Sequence, residues 1–255
     1  MIMTSLNGYT ISYDEYRQEK SHLTVIAMHG FGGDRTSRCI AKLQVCMQRH
    51  NVNLITFDWP AHGESETDGQ SLRIENCLND LKTVCDYVKE QDPEGSILAF
   101  ATSFGAYITL LFQSMYPEIL KGMILRAPAI RMDRILTENI LDRATLSELQ
   151  ESGICSFGFE RQMLLHREFL EDLKTNDLMQ IYKSTTVRNI EIIQGDEDVT
   201  APVEDTLEFC KMTQAKMHLI RGANHRFDKK GQVDEVIDIA EDIIGEKYLD
   251  IEEND

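Results

Sequence analysis

Four short stretches carry groups able to perform acyl transfer. The first is Ala101-Thr102-Ser103-Phe104-Gly105, which ends the apolar run SILAFA and opens the helical run YITLLFQSM. A serine on so sharp a strand-to-helix turn projects its hydroxyl above a sheet edge, and the turn demands small neighbours, here Ala101 and Gly105. Taken alone, the same serine also suits the N-cap of the following helix. The second stretch, His29-Gly30-Phe31-Gly32-Gly33, follows the run LTVIAM. Its flexible backbone can turn an amide toward a developing oxyanion, and each such donor is worth about 3 to 4 kcal/mol in the transition state. The backbone amides of Phe31 and Phe104 are the candidate pair. The stretch lacks both the GxGxxG spacing and the GK[ST] ending of phosphate loops. His29 precedes the turn, and its expected task is to brace the loop by hydrogen bonds.

The third and fourth stretches supply an acid and a base. Gly195-Asp196-Glu197-Asp198-Val199-Thr200-Ala201-Pro202 follows the strand-like NIEIIQ, and Ala223-Asn224-His225-Arg226-Phe227 follows KMHLIRG. Carboxylates and ligand-binding groups gather at the C-terminal ends of strands in open α/β sheets. Asp198 is the preferred acid, on the spacing Gly-x-x-Asp with Pro202 four residues on, while Asp196 and Glu197 read as solvated charges. His225 is the preferred base by position, and His22, His50, His62, His166 and His218 sit in other contexts. Ser103, Asp198 and His225 occur in the chain order Ser, Asp, His.

A scaffold for these groups must end several strands at one edge. Apolar runs predict strands at residues 9–13, 23–28, 53–57, 96–101, 122–125, 189–193 and 216–220, several continuous enough to be covered on both faces. Apolar positions three and four apart predict helices at residues 35–49, 71–89, 104–115, 204–212 and 233–244, and Pro117 stops the third. This alternation implies an α/β fold, a mostly parallel central sheet with helices on both faces. The rhythm breaks between Ala129 and Thr186, where charged, mostly helical sequence predicts a small inserted cap at residues 129–186, with 1–128 and 187–255 as the core. Within it GICSFGF, residues 153–159, reads as a short hairpin or an extended loop, and the closing IEEND as a frayed acidic tail.

Composition narrows the function classes. The 255 residues suit one domain with an insertion, and no apolar run approaches the roughly 20 residues of a membrane span. The opening MIMTSLNGYTISYDEYRQEK has no secretory pattern, so the cytoplasm is the expected location. Cys39, Cys46, Cys77, Cys85, Cys155 and Cys210 fall in apolar stretches without a CxxC pair, as reduced buried thiols do. A net charge of −17 argues against nucleic acid and anionic lipid as partners. No HExxH or Cys/His cluster calls for a metal, and no cofactor is expected.

Over almost its whole length the chain resembles the α/β-hydrolase superfamily, including Asp58-Trp59-Pro60-Ala61-His62-Gly63-Glu64-Ser65, which is similar to the D-x-x-G-H-G-x-S turn found there. Within the superfamily it is most similar to the bacterial cinnamoyl and feruloyl esterases, through its H-G-F, D-x-x-x-H-G-x-S, Q-G-x-x-D-x-x-x-P and G-A-x-H-x-F segments. It is also similar to monoacylglycerol lipases, serine aminopeptidases and acyl transferases, which differ chiefly in the cap. The resemblance implies a serine hydrolase that cleaves a small-molecule carboxylic ester through an acyl-enzyme on Ser103. Those esterases usually carry G-H-S-Q-G at the turn, so Thr102 and Phe104 depart from the pattern, and Phe104 could narrow the acyl side of the pocket. A peptidase with the same three residues would need a carboxylate such as Glu138, Glu148 or Glu151 to anchor an amine. A silent binding protein would lack one of the three, and none is missing. The oligomeric state is not legible in the sequence.

Overall fold

The computed structural model describes residues 1–158, 161–185 and 189–249. In β3 (Leu23–Met28), Val25 and Ala27 pack into one face of the sheet and Ile26 and Met28 into the other, the two-residue period of a strand buried on both sides. It lies parallel between β4 (Asn53–Phe57) and β5 (Ser96–Thr102). Parallel β6 (Gly122–Arg126), β9 (Ile190–Gly195) and β10 (Lys216–Ile220) extend the sheet on one side. On the other side lie β2 (Thr10–Tyr16), antiparallel to β4, and β1 (Ile2–Thr4), antiparallel to β2. The eight strands run in the order β1-β2-β4-β3-β5-β6-β9-β10.

Helices cover both faces. α1 (Arg38–Arg49) and α9 (Gln232–Ile244) pack on the face bearing Val25, Leu98, Phe100 and Ile193. On the opposite face, bearing Ile26, Ile55, Ala99 and Ile192, lie α2 (Ile74–Gln91), α3 (Phe104–Met115) and α8 (Val203–Thr213). Every residue of α3 from Phe104 to Gln113 is buried, because the helix is enclosed between the sheet and the chain that leaves β6. Apolar patterning does not reveal β1, three residues at the sheet edge with Ile2 exposed. β2 runs past its expected end at Tyr13 because its pairing with β4 continues to Tyr16.

Between β6 and β9 the chain forms α4 (Met132–Arg134), a π-helical turn at Ile135–Ile140, α5 (Arg143–Ser152), β7 (Ile154–Phe157), β8 (Met163–His166), α6 (Arg167–Thr175) and α7 (Leu178–Ile181). One expectation is corrected here. The run from Arg161 onward reads as helical, yet Met163–His166 is a strand paired antiparallel with β7. Met163 and Leu165 are buried while Leu164 between them is exposed, and pairing overrides the helix propensity of this leucine-rich run. Phe159 in the expected hairpin, the expected cap end at residues 186–187 and the IEEND tail lie outside the described residues. Arg161 holds the hairpin to the loop after β4, donating to the carbonyls of His62 (3.1 Å), Gly63 (2.7 Å) and Ser65 (2.9 Å). Arg73 grips Asp172 of α6 through two hydrogen bonds of 2.6 and 2.7 Å.

Candidate active site

The C-terminal ends of β3, β5, β9 and β10 bring the expected residues together. Ser103 stands between β5 and α3 with φ at 51° and ψ at −111°, a left-handed conformation that costs a non-glycine residue of order 1 to 3 kcal/mol. Three backbone bonds hold it there: its N–H donates to Arg126 O at 3.0 Å, and its carbonyl accepts from Tyr107 N–H at 3.0 Å and Ala129 N–H at 3.2 Å. The turn has no room for larger neighbours. A Cβ on Gly105 would lie 2.5 Å from the carbonyl oxygen of His29, and one on Gly30 would lie 3.1 Å from Ser103 Cβ. The alternative of a helix cap is not seen, since the Ser103 side chain makes no cap hydrogen bond.

Ser103 Oγ lies 3.0 Å from His225 Nε2, and His225 Nδ1 lies 2.8 Å from Asp198 Oδ2. A carboxylate can only accept, so the proton is on Nδ1, leaving Nε2 free to accept from the serine hydroxyl. Asp198 is 5% exposed. Its Oδ1 accepts from the N–H groups of Thr200 (2.9 Å) and Ala201 (2.8 Å), and its Oδ2 also accepts 3.0 Å from Gln194 Nε2. Those donors compensate the burial of a charge. Asp196 and Glu197 stand apart from this group, Asp196 accepting from Gly222 N–H at 2.5 Å and Glu197 from Lys229 Nζ at 3.0 Å. Sequence reasoning missed Gln194, itself oriented by the hydroxyl of Thr206 at 3.3 Å. An amide inside the apolar run IEIIQG is the signal that marks it, because buried polar groups are kept for a partner.

The glycine loop lies over the serine turn. Among the described residues nothing accepts from the backbone N–H of Phe31 or Phe104, and Phe104 is fully buried. The rings of these two residues meet edge to face at 5.8 Å. Phe31 is further stacked on Phe157 of β7 (5.6 Å) and Phe169 of α6 (5.8 Å), an aromatic cluster in which the rings of Phe104 and Phe169 are fully buried. His29 donates from Nδ1 to Gly30 O at 2.8 Å and accepts at Nε2 from Trp59 N–H at 3.3 Å, the bracing role expected of it. Burial lowers its pKa to about 4. His62 donates from Nδ1 to Pro60 O at 2.8 Å, and burial lowers its pKa to about 3. Asp58 holds the turn around it, accepting from the N–H groups of Arg35 (2.8 Å) and Glu64 (2.9 Å).

Away from this edge, Cys46, His50 and Glu241 bring one donor atom each within 4.8 Å of one another at the seam of α1 and α9. His50 and Glu241 already bond each other at 2.5 Å. Two open hollows lie at the opposite end of the strands, one beside Tyr182 and Lys216 and one beside Ser96 and Lys121. Neither reaches Ser103. None of the described helices is long and apolar enough to cross a membrane.

An open, mostly parallel sheet in this strand order, with a serine in a strained strand-to-helix turn, defines an α/β hydrolase. The chain belongs to the α/β-hydrolase family described as "Serine aminopeptidase, S33", which matches residues 19–151. The match includes Ser103 and stops before Asp198 and His225. Among curated proteins the chain is similar to the pollen-specific protein SF21 of Helianthus annuus, 27% identical over 130 residues, covering 50% of this chain and 35% of that protein. It is also similar to the uncharacterized protein YfhR of Salmonella typhi, 36% identical over 99 residues, covering 37% of this chain and 32% of that one. The matches thus span about a third of these relatives' lengths. Among solved structures, Est1E of Butyrivibrio proteoclasticus with ferulic acid bound is similar at a TM-score of 0.79 and 19% identity, over 96% of this chain and 98% of that one. Mouse alpha/beta hydrolase domain-containing protein 10 is similar at a TM-score of 0.76 and 14% identity, over 96% and 98%. These likenesses establish the fold, and the chain belongs to a family of hydrolases.

Proposed function

We propose that this hydrolase is a serine esterase that cleaves small-molecule carboxylic esters through an acyl-enzyme on Ser103. The observation that carries the reading is the continuous relay from Ser103 Oγ through His225 to Asp198, at 3.0 and 2.8 Å. Ser103 Oγ attacks the ester carbonyl while its proton passes to His225 Nε2, and Asp198 holds the tautomer and stabilises the imidazolium. The carbonyl oxygen becomes an oxyanion that the Phe31 and Phe104 amides bind. Collapse expels the alcohol, which takes the proton from His225. Water, deprotonated by His225, then releases the acid and restores the serine.

Residues 129–186 serve as the cap over this site, and the aromatic cluster of Phe31, Phe104, Phe157 and Phe169 favours an apolar or aromatic acyl group. Ferulic acid bound to Est1E agrees with that preference. The family's description favours a second reading, hydrolysis of an aminoacyl amide by the same residues. The test is hydrolysis of nitrophenyl acetate and butyrate, methyl ferulate, a monoacylglycerol and an aminoacyl-nitroanilide by the chain and its Ser103→Ala variant. Turnover of aryl or short esters, lost in the variant, is the expected result. Preference for the anilide would replace the ester reading with the amide one, and undiminished activity in the variant would remove Ser103 from the mechanism.

A further inference from the structure

Arg126 ends β6 between the serine and the base. Its carbonyl accepts from Ser103 N–H at 3.0 Å, and its Nη2 donates to the carbonyl of Arg226 at 2.8 Å. Its guanidinium carbon sits 4.5 Å over the ring of Phe227. The side chain thus grips both residues that follow His225. It is 7% exposed, its Nε has no partner among the described residues, and no described carboxylate pairs with it. A buried cation in that state is costly, and an apolar side chain of the same length would pack there with less penalty. The charged and titratable groups that face it are Cys39 from α1, Asp198 from the loop after β9, and Arg226 and Asp228 from the loop after β10.

We propose that Arg126 is a positioning residue for the base: its guanidinium fixes the turn that sets His225 between Ser103 and Asp198. One consequence separates this from a role in folding alone. Losing the grip lowers kcat while KM holds, because a misplaced base acts on the chemical step and not on substrate binding.

The inference rests on the serine-esterase reading, and the test uses the full chain with Arg126→Met and Arg126→Lys, on the best ester found for the wild type. For Arg126→Met, kcat is expected to fall about 10- to 100-fold with KM within about twofold. Arg126→Lys, which keeps the charge and loses the fork and the stacking, should recover only part of kcat, with KM again within about twofold. Wild-type kcat in both variants, or a loss in folded Arg126→Met that falls on KM and not on kcat, overturns the proposal. If Arg126→Met does not fold, Arg126→Lys decides: a reduced kcat with KM within about twofold supports the grip, and wild-type kcat removes it. Failure of the esterase reading itself is seen separately, as activity that survives Ser103→Ala.

Discussion

Asp198 is placed as much by Gln194 as by His225. The amide bonds Asp198 Oδ2 at 3.0 Å and the Ala201 carbonyl at 3.1 Å, tying strand β9 to the loop that carries the acid. Replacing Gln194 with Leu removes a hydrogen bond to a buried charge, worth about 1.5 to 3 kcal/mol. On the proposed mechanism kcat should fall about 10- to 100-fold, and steady-state kinetics on the best ester checks this. Asp198→Asn should be more severe, about 10⁴-fold in kcat, because the amide no longer selects the Nδ1–H tautomer. A loss for Asp198→Asn no larger than that for Gln194→Leu would point to another acid.

The N-terminal hairpin of β1 and β2 meets α2 around one buried carboxyl group. Asp80 accepts from Ser5 Oγ at 2.5 Å and from Tyr9 OH at 2.9 Å, and burial pushes its pKa up to about 7. The folded chain therefore keeps a proton there that the unfolded chain releases near its ordinary value of 3.8. Stability from this group is present at low pH, declines as pH rises from about 4 to 7, and stays level above 7. Asp80→Asn cannot ionise, so relative to wild type it should gain stability between pH 4.5 and 8, by up to about 4 kcal/mol. Urea unfolding of both proteins at the two pH values measures the difference, and parallel pH dependence would contradict it.

Over the whole molecule, His29 and His62 act in the opposite direction. Burial holds their pKa values at about 4 and about 3, below the usual 6.5, so the unfolded chain gains protons first as pH falls. Their stabilisation is complete above 6.5 and is lost progressively below it. Between about pH 4 and 6.5 they contribute two protons to the unfolded state against one held by Asp80 in the folded state. From these three groups the net expectation is a loss of about 1.4 kcal/mol per pH unit on acidification. Urea midpoints at pH 6.5, 5.5 and 4.5 check it, and a midpoint that rises on acidification would contradict it. His62→Asn should remove about half of the histidine contribution.

Sequence alone reveals much of this architecture because its signals are local. Continuous apolar runs mark β3, β5, β6 and β9, and the small residues around Ser103 and after His29 follow from turns that tolerate nothing larger. The order Ser103, Asp198, His225, each after a strand, also needs no coordinates. Packing across distant parts of the chain decided the remainder. β8 is a strand and not the first turn of a helix because β7 pairs with it. Phe157 and Phe169 stack on Phe31 because Arg161 and Asp172 draw their segments onto the core. Arg126 reaches the loop of His225 only once β6, β9 and β10 lie side by side. Periodicity reports which face of an element is buried, and it carries no record of which distant atom that face meets.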